Sequence, residues 1–489
     1  MRVVRLSFAA VIACAATASF AASDVASAFK EGKLDGRIRA HYFYTDWDRN
    51  GDVNGIDGQG AAVGGSLVYK TAPLRGLSAG VGFYTTQNPG ITEKHLNAKN
   101  TTSNDLFSRN GSGDFSKGYS VLAQSYLQYD ISKTSVKAGR YLLSNPFVTP
   151  NDTKFIPIVV QGASATVKEI SNTEFMVDYL VGIKERGMDY FKNMANTGDT
   201  PDALKNYYHT TYTAAVAGKT TGAESAPAVS VIGVKNTSVK GLEIQAWMMN
   251  WPDIVRQYIL EMNYGVKFGD LGLSAGARYF KQNDQGAGDI IRPHSGNGYS
   301  QTTGIQYKGD SDDKIDTYMY ALRAVATYKA AKVVMAYSHT DKGGDLLAPW
   351  RGFPTDGYTR SMTQTDWNAN TKAYKTQLDY DFSDFIKGVS ALVSYSYYDR
   401  DPSKVPYQSM TQRAYGNGDT HQVNFDVLYK VPYVKGLEWK VRTMFQNNDV
   451  VNYTDSGNTA PGSSSTRSSQ GITKDTSNRE LRVEANYFF

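Results

Sequence analysis

Segments of strand length in which apolar and polar side chains alternate recur along almost all of this 489-residue chain. Successive side chains of a strand point to opposite faces, so such a segment can present one face to lipid and the other to water. A soluble β-sandwich shows the same alternation, so the number of segments and the positions of their aromatic residues must decide between the two. At the C-terminus, the apolar parity of residues 479–489 consists of Leu481, Val483, Ala485, Tyr487 and Phe489.

The even number of these segments favours a membrane barrel, because bacterial single-chain barrels close with both termini on the periplasmic side. Many of the 34 tyrosines lie on the apolar parity near segment ends, where an aromatic girdle is expected. The sequence therefore predicts an all-β, transmembrane antiparallel up-and-down β-barrel of 18 strands. The predicted strands are 34–46, 60–71, 77–86, 119–129, 134–142, 158–168, 172–183, 228–236, 241–250, 254–268, 271–282, 315–329, 331–341, 371–383, 388–399, 419–430, 437–447 and 478–489.

Connection lengths alternate between these segments, as short periplasmic turns and long extracellular loops do in outer-membrane barrels. One connection, Trp251-Pro252-Asp253, is short on the side where long loops are expected. It indicates either a misplaced strand end or a low point on the barrel rim. The short turns are 70–76, 130–133, 169–171, 237–240, 269–270, 329–331, 383–387 and 431–436, and the long loops are 47–59, 87–118, 184–226, 282–315, 342–370, 399–418 and 448–477.

The N-terminus has the features of a secretory leader. Arg2 and Arg5 precede the apolar run 6–16, and Ser19-Phe20-Ala21 is a small-residue cleavage site. We expect residues 1–21 to be a signal peptide and residues 22–489 to form a single barrel domain. The only cysteine, Cys14, would leave with the leader, and a cysteine-free mature chain suits an oxidising compartment. No second apolar run is long enough for a membrane-spanning helix.

Two neighbouring motifs carry a family resemblance. Residues 137–147 read Lys-Ala-Gly-Arg-Tyr-Leu-Leu-Ser-Asn-Pro-Phe, and residues 152–157 read Asp-Thr-Lys-Phe-Ile-Pro. Together they resemble the outer-membrane porin D (OprD-type) family of eighteen-stranded, substrate-preferring channels, and in architecture the resemblance extends over the whole mature chain. It implies that the segment near 143–157 folds into the barrel.

The prolines of this segment are consistent with a constriction, because proline fixes φ and stiffens a loop that lacks strand alternation. The alternative is an ordinary extracellular loop with turn residues. The residues that we assign to the constriction loop are Asn145, Pro146, Phe147, Asp152, Lys154 and Pro157.

Basic residues recur on the polar parity of several strands, and the resemblance implies that they form a similar basic ladder along the pore. Fixed positive charges on a wet wall attract anionic groups such as carboxylates. A structural role is the alternative, in which these residues pair with Glu438, Glu480, Glu484 and Asp426. The predicted ladder consists of Arg37, Arg39, Arg278, Arg323, Lys440, Arg442 and Arg482.

The first long loop contains a calcium-like spacing of oxygen-bearing side chains around Gly51. The flanking segments read as strands, and Asp, Asn and Gly are also what any hairpin tip uses. A calcium site and a plain turn therefore both remain open here. The candidate ligands are Asp46, Asp48, Asn50, Asp52 and Asp57.

Catalytic signals are absent from the sequence. The six histidines lack metal-ligand spacing, and no nucleophile elbow, zinc motif or phosphate loop is present. The 52 basic and 47 acidic residues are too evenly balanced to indicate nucleic-acid binding. Apart from the calcium hypothesis, we expect no cofactor.

We therefore predict a porin of a Gram-negative outer membrane. It would be a passive diffusion channel for small hydrophilic solutes, with a preference for carboxylate-bearing ones such as amino acids, organic acids and small peptides. The expected partners are outer-membrane lipid, small anionic or zwitterionic solutes and, by resemblance, the barrel-assembly machinery that recognises a terminal aromatic such as Phe489. The alternative is a surface-exposed barrel that acts mainly in adhesion or membrane structure.

Overall fold

The computed structural model describes residues 22–47, 58–92, 106–108, 117–194, 228–252, 254–285, 316–344, 346, 358–362, 366–401, 418–449 and 477–489. The predicted leader, residues 1–21, lies outside them. In these ranges the chain forms one six-residue helix, α1 (Val25–Lys30), and nineteen strands. The strands are β1 (Lys33–Trp47), β2 (Gly58–Lys70), β3 (Leu77–Gln87), β4 (Tyr119–Ile131), β5 (Thr134–Tyr141), β6 (Val159–Val167), β7 (Thr173–Lys184), β8 (Lys192–Asn193), β9 (Val229–Asn236), β10 (Leu242–Trp251), β11 (Val255–Phe268), β12 (Leu271–Asp284), β13 (Thr317–Tyr328), β14 (Ala331–Thr340), β15 (Lys372–Asp381), β16 (Val389–Asp399), β17 (Thr420–Lys430), β18 (Leu437–Asn448) and β19 (Asn478–Phe488).

The strands close into a barrel. Each long strand pairs antiparallel with the next, and β1 pairs with both β2 and β19. The two-residue β8 pairs only with the end of β7, so eighteen long strands form the wall. The prediction of an eighteen-stranded antiparallel barrel is confirmed, and each predicted strand end lies within two residues of the observed one. Among the described residues, no helix has the length and hydropathy of a membrane-spanning segment.

The two faces of the wall have opposite character. On β1, the side chains of Arg37, Arg39 and His41 are buried, whereas the intervening Ile38 is 59% exposed. A water-soluble protein shows the reverse distribution, with charged residues outside and apolar residues inside. The outer face of this barrel is therefore the lipid-facing surface, and the polar parity of each strand faces the interior.

The short connection at residues 251–255 belongs to the barrel rim and does not reflect a misplaced strand end. β10 ends at Trp251 and β11 begins at Val255. The backbone N–H of Ile254 donates to the Trp251 carbonyl at 3.2 Å, which closes the turn. β10 and β11 therefore stay paired up to this connection, where Trp251 is opposite Val255.

Helix α1 caps the short-turn end of the barrel and was not predicted from the sequence. The carboxylate of Asp24 accepts a hydrogen bond from the backbone N–H of Ser27 at 2.8 Å, which satisfies one of the free donors at the helix start. The N–H of Ala72 donates to the Ala28 carbonyl at 2.9 Å and ties the helix to the turn between β2 and β3. The six residues of α1 are too few to show the apolar periodicity from which a helix is predicted.

Candidate functional site

The segment 142–158 leaves the wall after β5 and re-enters it at β6. Its first turn is held by Asn145, whose side-chain oxygen accepts from the backbone N–H groups of Phe147 and Val148 at 2.9 and 2.8 Å. The Asn145 side-chain amide donates to Asp178 of β7 at 2.9 Å. Asparagine favours such local turns because its side chain can bond the backbone two or three residues ahead.

Apolar side chains of this segment pack against several parts of the barrel interior. Phe147 and Val148 belong to a buried cluster that includes Trp251 of the rim and Phe280 of β12. The Phe147 and Phe280 rings meet edge to face, with centroids 6.4 Å apart. Farther along, Phe155 and Ile156 belong to a second buried cluster, which contains Phe43 of β1 and Tyr84 of β3. The segment therefore crosses the interior from the β5–β6 side.

Charged contacts fix the same segment to β1. Both terminal nitrogens of Arg37 donate to the two carboxylate oxygens of Asp152, one of them at 3.0 Å. Arg39 donates to the backbone carbonyl of Lys154 and, at 2.6 Å, to the side-chain oxygen of Asn486. These two arginines are buried, and a buried charge is tolerated only when it is paired and hydrogen-bonded. They hold the segment in place.

Three further predicted cations lie beside them, on the strands that close the barrel. Arg482 forms an ion pair with Glu480, and Arg442 forms one with Asp426 at 2.9 Å. In the strand register, Arg442 is opposite Arg482. The structure thus collects five predicted residues on β1, β18 and β19, which we call the seam group: Arg37, Arg39, Lys440, Arg442 and Arg482.

Lys154 adds a buried amine from the inward segment to this group. Its side-chain nitrogen lies 3.5 Å from the ring centroid of Phe43, and the guanidinium of Arg482 lies 5.3 Å from the same ring. Burial lowers the pKa of Lys154 well below its usual value; Arg482 and Arg186 lower it further, and Glu480 and Glu484 oppose them. Arg186 also donates to the Thr153 hydroxyl at 2.7 Å, a contact that the sequence did not suggest.

The remaining predicted ladder residues, Arg278 and Arg323, form a separate group on β12 and β13. Strands β14–β17 lie between them and β18. Arg278 pairs with Glu261 of β11 at 2.6 Å, and Arg323 donates to Asn263 at 2.8 Å. The seven predicted cations therefore do not form one continuous ladder. Arg442 and Arg482 pair with Asp426 and Glu480, two of the acidic residues named in the structural alternative, and the pore-lining role stays a prediction.

A second inward segment, residues 358–362 and 366–370, lies over this group and was missed in the sequence. The Tyr358 hydroxyl donates to Glu261 at 2.8 Å, and its ring centroid lies 5.1 and 4.2 Å from the guanidinium carbons of Arg278 and Arg323. Burial is the main cause that raises the pKa of Tyr358. Part of the long loop predicted at 342–370 therefore packs against the interior wall, which the sequence analysis did not predict.

Asp366 anchors this second segment to the wall. Its carboxylate accepts from the hydroxyls of Ser338 on β14 and of Thr359, at 2.5 and 2.8 Å. On β16, the Tyr398 hydroxyl donates to the Thr359 carbonyl at 2.8 Å. Ser338, Thr359 and Asp366 have short polar side chains that form no apolar pattern in the sequence. Their burial side by side is therefore visible only in the folded barrel.

Comparison with known proteins establishes the family. The family model described as outer membrane porin, OprD family, matches residues 29–459. This chain belongs to the OprD family of outer-membrane porins. It is therefore a multi-pass barrel and channel of the outer membrane and not an enzyme, as predicted.

Individual relatives are distant but cover nearly the whole chain. Porin D of Pseudomonas aeruginosa is 22% identical over 481 residues, which cover 90% of this chain and 94% of the relative. The crystal structure of OccK9 (OpdG) from the same organism has a TM-score of 0.67 at 16% identity and covers 95% of this chain and 99% of that one. The crystal structure of OccAB3 of Acinetobacter baumannii has a TM-score of 0.65 at 14% identity and covers 94% of this chain and 99% of that one. OpdK of P. aeruginosa, crystallised with vanillate, gives 0.64 at 13% identity, with 94% and 98% covered.

Proposed function

We propose that this OprD-family porin prefers small carboxylate-bearing solutes, which pass a constriction formed by the inward segment 142–158 together with the accessible cations of the seam group. The observation that supports it is the concentration of five wall cations on three neighbouring strands, beside the inward segment. Arg37, Arg39 and Arg482 are nearly buried, whereas Lys440 and Arg442 keep part of their surface accessible. Lys440 and Arg442 are therefore the cations that a passing solute would meet.

The chemistry needs no energy source. A carboxylate that enters a narrow pore loses part of its hydration, and fixed guanidinium and ammonium donors replace it. Glu438, Glu480, Glu484, Asp152 and Asp426 lie among these cations, so the wall also suits the ammonium of a zwitterion such as an amino acid. The vanillate seen in OpdK is itself a small carboxylate, which is consistent with a preference of this kind.

Removal of the two accessible cations tests the proposal. Replacing Lys440 and Arg442 by Gln is expected to shift the reversal potential in a salt gradient toward cations and to slow gluconate uptake more than uptake of its neutral counterpart, sorbitol. The physical reason is the loss of two fixed charges from a poorly screened site. Planar-bilayer recording and uptake into proteoliposomes measure the two effects.

A matched control removes two interior cations elsewhere. Lys235 and Lys332 form ion pairs with Glu243 and Asp379 at 2.6 and 3.3 Å, away from segment 142–158. Their replacement by Gln should leave the solute preference nearly unchanged. If the two double variants behave alike, or if wild-type protein takes up both solutes equally, the carboxylate preference is rejected. A barrel acting mainly in adhesion, with a blocked lumen, would show no steady conductance.

We further propose that the barrel-assembly machinery acts on the C-terminal strand β19, as the family resemblance implies. The backbone of Phe489 exchanges two hydrogen bonds with Gly36 of β1, at 2.8 and 3.1 Å. Its ring stacks on Tyr487, with centroids 5.9 Å apart, on the parity that faces lipid. A terminal aromatic in this position is accessible before the barrel closes.

The calcium hypothesis stays a prediction. Asp48, Asn50, Asp52 and Asp57 lie outside the described residues, and Asp46 lies 3.8 Å from Arg479. Within the described ranges, no group of three or more His, Cys, Asp or Glu side chains could hold a metal. If the first loop binds calcium, a chelator should speed its cleavage by protease in refolded protein. Equal cleavage with and without chelator would leave only the turn interpretation.

A further inference from the structure

The periplasmic turns of the barrel share a sequence pattern. In four of them an apolar residue, a basic residue, a glycine and a second apolar residue follow one another, and the N–H of the fourth donates to the carbonyl of the first at 3.0–3.1 Å. Each glycine has a positive φ, between 80° and 89°. The four turns are Leu74-Arg75-Gly76-Leu77, Val239-Lys240-Gly241-Leu242, Ile386-Lys387-Gly388-Val389 and Val434-Lys435-Gly436-Leu437.

Turn geometry explains the glycine but not the two residues before it. In three of the turns only the third residue has a positive φ, so the turn demands glycine there and accepts most residues at the first two positions; in the Leu74–Leu77 turn, Arg75 also has a positive φ of 51°. Val239, Ile386 and Val434 are nevertheless apolar and remain 58%, 59% and 43% exposed. In the remaining turn, Leu74-Arg75-Gly76-Leu77, Leu74 packs against α1. The exposed apolar residues at this turn are instead Val25 and Phe29 of the helix.

Positive charge is distributed around the same rim. Seven of the eight periplasmic turns contain an exposed lysine or arginine, and within the described ranges Lys240, Lys387 and Lys435 make no ion pair. A wall-stabilising role therefore does not account for these three. The seven residues are Arg75, Lys133, Lys168, Lys240, Lys329, Lys387 and Lys435.

Exposed aromatic residues complete the rim. Tyr433 is 92% exposed and Phe385 is 75% exposed, each next to the apolar residue of its turn. Tyr328 ends β13, and the ammonium of Lys329 lies 5.4 Å from its ring centroid. Large exposed apolar groups of this kind mark interaction surfaces, and here they continue the lipid-facing surface of the strands. Because the adjoining strand surface faces lipid, we infer that lipid also covers these rim residues.

We propose that the periplasmic rim binds anionic phospholipid of the inner leaflet. In each turn the apolar or aromatic side chain enters the acyl boundary, and the neighbouring lysine or arginine binds a lipid phosphate. Long basic side chains keep their charge at the interface while their stems lie along apolar surface. Charge complementarity with the phosphate and continuity with the lipid-facing strands select a phospholipid as the occupant.

The test measures lipid selectivity beside the turn 431–436. Trp439 lies on the outer face of β18, three residues beyond Gly436, and brominated lipid quenches tryptophan in contact with it. The full chain is reconstituted in phosphatidylcholine vesicles with either brominated phosphatidylglycerol or brominated phosphatidylcholine. A Trp439→Phe variant supplies the background from other tryptophans. We expect wild-type Trp439 to favour phosphatidylglycerol by about fivefold, the preference that one interfacial lysine gives.

Replacing Lys387 and Lys435 by Gln should abolish this preference, whereas the control replacement of the exposed extracellular Lys117 and Lys342 by Gln should preserve it. Heat-modifiable migration shows that each variant is folded. Equal quenching by the two lipids in wild-type protein, or an unchanged preference in the Lys387/Lys435 variant, overturns the proposal.

The apolar half of the pattern is tested separately with a spin label. In a Cys14→Ser background, a label at Tyr433→Cys should be more accessible to oxygen than to a water-soluble nickel reagent when the protein is in vesicles. The same label at Ser23→Cys, beside helix α1, should show the opposite order. A label at position 433 that is as water-accessible as the one at position 23 contradicts insertion of the turn.

Discussion

Replacing Arg37 and Arg39 by Gln is expected to increase the single-channel conductance and to widen the range of solutes that pass. These arginines provide the charged contacts that hold segment 142–158 against β1, through Asp152 and the Lys154 carbonyl. Breaking one side of a buried ion pair costs about 3–5 kcal/mol, because the remaining charge is left without a partner. The carboxylate of Asp152 would then favour a position in water, and the segment would leave the wall. Planar-bilayer conductance and uptake of a size series of neutral sugars measure the opening.

Two further variants test whether the result is specific to the contact of Arg37 and Arg39 with segment 142–158. Lys332→Gln removes an interior cation that pairs with Asp379, away from segment 142–158, and should leave the conductance close to wild type. When Asp152→Asn is added to Arg37→Gln, the change in conductance should be much smaller than the sum of the changes in the two single variants, since both substitutions act on one contact. An unchanged conductance in the Arg37/Arg39 variant, with the barrel folded, would show that apolar packing of Phe147 and Phe155 alone holds the segment.

The strands could be predicted because each must satisfy two solvents at once. A residue such as Ile38 faces lipid and its neighbours Arg37 and Arg39 face the interior, so every second position is constrained in the sequence itself. The turns are equally well marked, since Gly388 and Gly436 adopt positive φ values that other residues avoid. Fold and family could therefore be predicted from the sequence alone.

The partners inside the barrel could not be predicted in the same way. Strand parity assigns Arg37 to the interior, but its contact with Asp152 spans more than a hundred residues and depends on where a loop without periodicity settles. Tyr358 and Asp366 carry no local signal at all, because a tyrosine and an aspartate in a polar loop are compatible with exposure. The division of the basic residues into two groups likewise depends on strand order around the closed barrel, not on spacing along the chain.

Deletion of Phe489 is expected to lower the amount of protein in outer membranes of cells more than it lowers the stability of refolded protein. In the folded barrel, Phe489 contributes two backbone hydrogen bonds to Gly36, each worth about 0.5–1.5 kcal/mol net. A closed barrel of eighteen strands can lose them at its rim, since the rest of the β1–β19 ladder remains paired. If the assembly machinery acts on β19 as we propose, the same residue is the end of an unpaired strand during assembly, and its deletion removes the aromatic that would be recognised.

Heat-modifiable migration of refolded protein measures stability, and quantification in isolated outer membranes measures assembly. Phe488→Ala is the matched control, because it removes an adjacent exposed aromatic of the opposite parity and keeps the chain length and Phe489. We expect it to assemble nearly as well as wild type. Normal cellular levels after deletion of Phe489 would show that the terminal residue has no special part in assembly. Equal losses in the two assays would instead assign its role to closure of the β1–β19 seam, where lipid leaves an unpaired backbone group at a cost of several kcal/mol.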